Sequence, residues 1–185
     1  MAVRAVRIYG DPVLRVKAAE VTAFDDSLRS LVADLFETMQ AYRGVGLAAP
    51  QVGVAQRIFV IEIPVDEGDA RRERFAVINP VLDQRDGKDS AEEGCLSMPG
   101  IYEDVTRAES LRLRAVDEHG KAFERLVTGY LARAVQHEND HLDGVMFTDR
   151  LSPLRRQFLR RDLDALARGE VPEGYHPRAK DGETF

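Results

Sequence analysis

Residues 137–141 read His137-Glu138-Asn139-Asp140-His141, an H-E-x-x-H pattern. On a helix, histidines four residues apart lie one turn apart on one face, where both rings can hold a single metal ion. With four histidines in the chain, random placement predicts roughly 0.007 such patterns. Glu138 sharpens the reading, because a structural metal site needs ligands and has no use for an adjacent general base. A catalytic site takes three protein ligands and keeps a position for water. The residues that follow, Leu142 to Phe147, supply no third histidine, so the third ligand must be distant in sequence. Cys95 is the candidate: it is the only thiol, it sits in Glu93-Gly94-Cys95-Leu96-Ser97, and a thiolate is a strong ligand for such an ion. Taken alone, a lone cysteine is more often a small buried hydrophobe.

A third segment is Gly44-Val45-Gly46-Leu47-Ala48-Ala49-Pro50-Gln51-Val52-Gly53. Its glycines do not make a phosphate cradle, since no G-x-x-x-x-G-K-[ST] is present and no clear strand precedes it. As a plain helix-to-strand connection it leaves Gln51 unexplained. A single amide donor in an apolar, flexible stretch suits a group aimed at a substrate oxygen. Together these residues describe metal-assisted hydrolysis: a divalent ion brings the pKa of its water from 15.7 toward about 7, and Glu138 is placed to take and return the proton.

These residues need elements to position them. Asp25 or Asp26 can cap a helix with apolar positions Leu28, Leu31, Val32, Leu35 and Met39, stopping near Gly44. Strands are expected at Arg57–Ile63, Phe75–Leu82, Leu111–Val116 and Ala122–Val127, separated by polar loops at Asp66–Arg74, Asp83–Ser90 and Asp117–Gly120. Connections this brief leave no room for crossover helices, so the strands should pair antiparallel. A second helix should run from about Gly129 through His141 and end near Gly144. A third begins at Ser152, with Pro153 in its first position, and continues to Gly169. Phe158, Leu159, Leu163 and Leu166 share one side of it, and Arg156, Arg160, Arg161 and Arg168 lie largely opposite.

The 185 residues fit one domain, residues 1–169, followed by a polar tail at 170–185 expected to be flexible. A net charge of −6 argues against whole-surface attraction to DNA, RNA or anionic membrane. The longest apolar runs, such as Ile58–Ile63, fall far short of a membrane span, and arginines at 4, 7 and 15 interrupt any signal-like stretch. With one cysteine no internal disulfide can form, which makes the reducing cytoplasm the default location.

The three segments at 44–53, 93–97 and 136–144 resemble, in order and separation, the three motifs of bacterial peptide deformylase, over roughly residues 5–165. The resemblance implies an α+β fold in which antiparallel β-sheets surround a central metal-binding H-E-x-x-H helix, with a C-terminal helix. It implies an enzyme that removes the formyl group from the N-terminal formylmethionine of nascent polypeptides and releases formate. Position by position, Cys95, His137 and His141 resemble the metal ligands and Glu138 the catalytic acid and base. Gln51 and the backbone N–H of Leu96 resemble the oxyanion donors. Val45, Gly46, Glu93 and Tyr102 fall where substrate contacts are expected, and Glu93 with Arg107 resembles a supporting ion pair. Some members carry an arginine at the position of Tyr102 and an apolar residue at that of Arg133. The implied cofactor is one divalent ion, Fe²⁺ natively, with Zn²⁺ or Ni²⁺ as substitutes. The implied partner beyond the nascent chain is ribosomal RNA, met through the basic face of residues 152–168. Two other readings stand beside it: a metallopeptidase built on the same helix, and a non-catalytic binder of ribosomes or nascent chains, which would need neither Glu138 nor Gln51.

Overall fold

The computed structural model describes residues 2–64 and 72–175. In chain order these form α1 (Asp26–Ala41), β1 (Gly46–Ala48), β2 (Ile58–Pro64), β3 (Arg72–Asp86), β4 (Asp89–Cys95), β5 (Met98–Arg107), β6 (Ser110–Val116), β7 (Ala122–Thr128), α2 (Gly129–Leu142), α3 (Pro153–Phe158) and α4 (Arg160–Ala167). Short 3-10 helices lie at Pro12–Arg15, Ala49–Val52 and Phe147–Arg150.

Apart from Glu62, which pairs with Arg72 and Gln40, the run Ile58–Ile63 is apolar on both sides, and β2 is accordingly covered on both faces. Phe59, Ile61 and Ile63 pack with Val135 and Leu142 of α2, while Ile58 and Val60 pack with Leu31, Leu35 and Met39 of α1. Strand order in the main sheet is β1-β2-β3-β6-β7, all antiparallel, and β4 and β5 form a separate two-stranded sheet. The α+β arrangement is thus the expected one, with α2 lying against β1, β2 and β7. Asp25 is the cap of α1, accepting from the Leu28 amide at 3.0 Å. None of the helices formed by the described residues is long and apolar enough to cross a membrane.

Three expectations need correction. The stretch Asp83–Ser90 is not a loop: β3 continues to Asp86, the chain turns at Gly87 (φ +67°), and β4 starts at Asp89. Its strand character rests on charge pairing rather than apolar alternation, since Asp83 on β3 accepts from Arg112 and Arg114 on β6, each at 2.7 Å. β4, Asp-Ser-Ala-Glu-Glu-Gly-Cys, likewise shows no apolar alternation, and β1 is three buried residues, too short to show a period. The third helix is two helices joined at Leu159. Leu154 and Phe158 form one stripe and Leu159, Leu163 and Leu166 another. The break lets α4 bury Leu163 and Leu166 against Met98, Ile101 and Val105 of β5, while Phe158 is left 70% exposed. Finally, the described part of the tail does not trail away from the domain: residues 172–175 lie against the cleft described below. Residues 66–71 of the expected loop and residues 176–185 of the expected tail lie outside the described residues.

Candidate active site

Helix α2 is amphipathic in an inverted sense: Ala132, Ala134, Val135 and Leu142 hold it in the core, and its other buried positions are polar. His137, Glu138 and His141 project from it toward the β4–β5 turn, where Cys95 sits. The ligand atoms of Cys95, His137 and His141 all lie within 4.8 Å of one another. Cys95 Sγ is 3.3 Å from His141 Nε2. His137 turns Nδ1 to Glu93 Oε2 at 3.0 Å, leaving Nε2 toward the thiol.

The electrostatics fit a cation. Burial depresses His141 well below the ordinary histidine value, aided by the charges of His137 and Arg107, and so favours the neutral imidazole that ligates metal. Burial acts the same way on His137, but Cys95 and Glu93 outweigh it and draw a proton onto the ring. A site that pulls positive charge between a thiol, two imidazoles and a carboxylate is a fitting seat for a divalent ion. Burial also lifts Glu138 to about 7, opposed by His137 and Arg107. Glu138 Oε2 has no hydrogen-bond partner among the described residues, which leaves one carboxylate oxygen for a group not yet in place.

Gln51 arrives from the opposite wall. The Ala48 amide of β1 donates to Gln51 Oε1 at 2.8 Å, which fixes the side chain so that Nε2 reaches Ser97 Oγ at 3.1 Å and Cys95 Sγ at 3.5 Å. Around these groups lies a cleft of about 600 Å³, lined among others by Val45, Gly46, Gln51, Leu96, Tyr102 and Glu138. β1 forms one edge of the main sheet. Gly46 permits the closest approach: a Cβ there would lie 2.8 Å from Glu138 Cγ and Cδ and closer still to Oε1. Gly94 does the same for Tyr102, its partner across the hairpin, whose ring would stand 2.5 Å from a Cβ. Tyr102 is 62% exposed at the rim.

Glu93, expected among the substrate contacts, has both oxygens engaged within the protein. Arg107 donates to Oε1 at 2.6 Å and to Oε2 at 2.8 Å, and Arg133 to Oε1 at 2.7 Å. Desolvation alone would raise its carboxyl, but the hydrogen bonds from Arg107 and His137 hold it at about 2. It therefore orients His137 as a fixed anion, the role a carboxylate plays behind a ligating histidine. Arg133 does not point a free charge into the cleft. Its guanidinium is held by Glu93, by the Val105 carbonyl at 2.7 Å and by Asp89 at 2.7 Å. Sequence reading missed the far side of this cluster: Arg107 also donates to Asp140 at 2.7 Å, and Asp140 accepts from Arg150 at 2.9 Å. Asp140 lies within the H-E-x-x-H segment, three residues after His137, and its neighbours in that motif were the available signal.

The sequence profile of the Polypeptide deformylase family matches residues 3–157. The chain is 48% identical over 175 residues to a peptide deformylase of Alkalilimnicola ehrlichii, covering 94% of this chain and 97% of that protein. Among solved structures it resembles a peptide deformylase from Legionella pneumophila, with TM-score 0.82, 46% identity and coverage of 91% and 98% of the two chains. It likewise resembles the peptide deformylase from Thermus thermophilus, with TM-score 0.82, 42% identity and coverage of 91% and 99%. With its fold, its buried H-E-x-x-H helix and these relatives in agreement, the chain belongs to the peptide deformylase family.

Proposed function

We propose that Glu138, beside a divalent ion held by Cys95, His137 and His141, is the general base and acid of this deformylase. The family's activity is that of the chain: hydrolysis of the N-formyl group from the N-terminal formylmethionine of nascent polypeptides, releasing formate. The observation carrying the residue assignment is the buried Glu138 carboxyl, with one oxygen unpartnered among the described residues, next to three convergent ligand atoms. When bound, the ion supplies Lewis acidity and a site for water; Fe²⁺ is proposed as the native ion, with Zn²⁺ or Ni²⁺ able to replace it.

Glu138 removes one proton from water as its oxygen adds to the formyl carbon, and delivers that proton to the nitrogen as the C–N bond breaks. Formate and a free amine result. Gln51 Nε2 and the Leu96 N–H donate to the carbonyl oxygen while it carries negative charge. Gly46, the first residue of the edge strand β1, offers backbone groups to an extended peptide, Val45 lines the cleft just before it, and Tyr102 flanks the peptide at the rim. Formate release from formyl-Met-Ala-Ser by protein of defined metal content tests the activity; no turnover in the fully metallated enzyme would overturn it.

Gly46 is proposed to set the distance between peptide and base. Gly46→Ala should push Glu138 from its place and lower kcat/KM by about 10²-fold, as a displacement of 1 Å at a reacting group does. The loss should appear at unchanged thermal midpoint and metal content; retained activity would show that the contact relaxes at no cost.

The basic residues of α3 and α4 are proposed to meet ribosomal RNA, and the proposed location is the cytoplasm, where formylated chains emerge. Arg160 is 81% exposed and Arg156 47% exposed at the side chain, and the exposed Leu154 and Phe158 flank them. Exchanging Arg156, Arg160 and Arg161 for glutamate should weaken ribosome co-sedimentation in a salt-sensitive way while sparing turnover of a short formyl peptide. Unchanged sedimentation would sink the idea.

A further inference from the structure

The chain leaves α4 through Gly169 (φ +82°), whose amide donates to the Leu166 carbonyl at 2.8 Å, and the Glu170 amide donates to the Ala165 carbonyl at 3.1 Å. This turn sends the following residues to the cleft. Pro172 packs on Gly100, where a Cβ would be 3.1 Å from Pro172 Cγ, and the Tyr175 amide donates to the Pro172 carbonyl at 3.1 Å. Tyr175 then reaches both rims. Its hydroxyl donates to the Leu96 carbonyl on the β4–β5 turn, and its ring lies 5.5 Å from that of Tyr42, beyond the end of α1. Burial raises its phenol above the ordinary tyrosine range, so the group stays protonated and remains a donor. Residues 172–175 line the same cleft as Gly46, Gly94 and Glu138.

We propose that Tyr175 is a specificity-determining residue of this deformylase: bridging Leu96 and Tyr42, it discriminates among formylated peptides by how far they extend beyond the methionine. The proposal rests on the deformylase reading above. A formylmethionyl group in the cleft beside Glu138 and Cys95 lies inside the bridge, whereas a longer chain leaving the cleft mouth must break the hydroxyl contact to Leu96 and the ring contact to Tyr42. One hydrogen bond and one aromatic pair should together raise KM for the longer substrate by roughly tenfold.

The test compares formyl-Met-Ala with a peptide of about ten residues beginning formyl-Met-Ala, in the metal-loaded parent, in Tyr175→Phe, in Tyr175→Ala and in a chain ending at Gly169. Tyr175→Ala and the shortened chain should lower KM for the long peptide by roughly tenfold and leave both kinetic constants for the short one within about twofold. Tyr175→Phe, which keeps the ring and loses the hydroxyl, should fall between, at about threefold. Equal KM values across the variants would overturn the proposal. So would an equal fall in kcat for both peptides, which would mean that Tyr175 only props the Leu96 segment. No turnover of either peptide by the parent would instead overturn the deformylase reading, and this proposal with it.

Discussion

Glu138→Ala should lower formate release by about 10²–10⁴-fold, the usual worth of a positioned general base, while the purified variant keeps its metal. Both halves follow from the site. The three convergent atoms that could hold an ion belong to Cys95, His137 and His141 and not to Glu138, so the substitution leaves the proposed donors in place. What it removes is a carboxyl that burial has lifted to about 7, a value suited to the proposed role of accepting and returning a proton near neutral pH. Metal analysis together with kcat on formyl-Met-Ala-Ser decides the matter. Activity within tenfold of the parent would remove Glu138 from the mechanism, and loss of the metal in the variant would make it a ligand instead.

Arg107→Ala should be the most destabilising single change at the site, by about 3–5 kcal/mol, because it strands a buried carboxylate rather than exchanging a pair for apolar groups. Arg107 and Glu93 are 5% and 6% exposed, and Arg107 supplies two of the bonds to Glu93 and one to Asp140. At matched metal loading the thermal midpoint should drop by roughly 6–20 °C for a chain of this size. The sign of the pH dependence is set by Glu93, whose carboxyl lies near 2 in the fold against an ordinary 4.5. A depressed carboxyl stabilises the fold above its unfolded value, and this contribution is lost as the pH falls from about 4.5 toward 2. Without Arg107 the carboxyl rises, so the variant gains less from the same window and its acid unfolding moves to higher pH. A stability change below about 1 kcal/mol would show that Arg133 and His137 suffice to hold Glu93.

Much of the site could be read from local pattern, because helical spacing alone puts His137 and His141 on one face and the missing ligand points to a distant thiol. The elements with apolar periodicity, α1, α2, β2 and β6, were legible for the same reason: their burial is written in residue type. What escaped reading is held by pairing between distant residues. The strand continuing through Asp83 depends on Arg112 and Arg114 some thirty positions away, and the hairpin β4–β5 is tied by Glu93 on one strand to Arg107 on the other. Arg133 reads only as a charge where some family members carry an apolar residue until Asp89 and Glu93 are brought beside it. The break at Leu159 depends on which leucines β5 can accept, a property of the partner surface and not of the helix. The course of residues 170–175 depends on Gly100 and Leu96, which no feature of the tail's own composition announces.

The strand β2 is buried on both faces and hydrogen-bonded on both edges, to β1 and to β3. Its amides can meet solvent deuterium only when the whole domain opens, whereas those of β4–β5, outside the main sheet, can do so through smaller fluctuations. The helix that carries the proposed base should rest on the slower-exchanging part, and Cys95, the proposed thiol ligand, on the faster one. Loss of function and loss of fold are therefore separable events: the enzyme can fall silent through loosening of the hairpin while the protected centre of the sheet still counts the molecule as native.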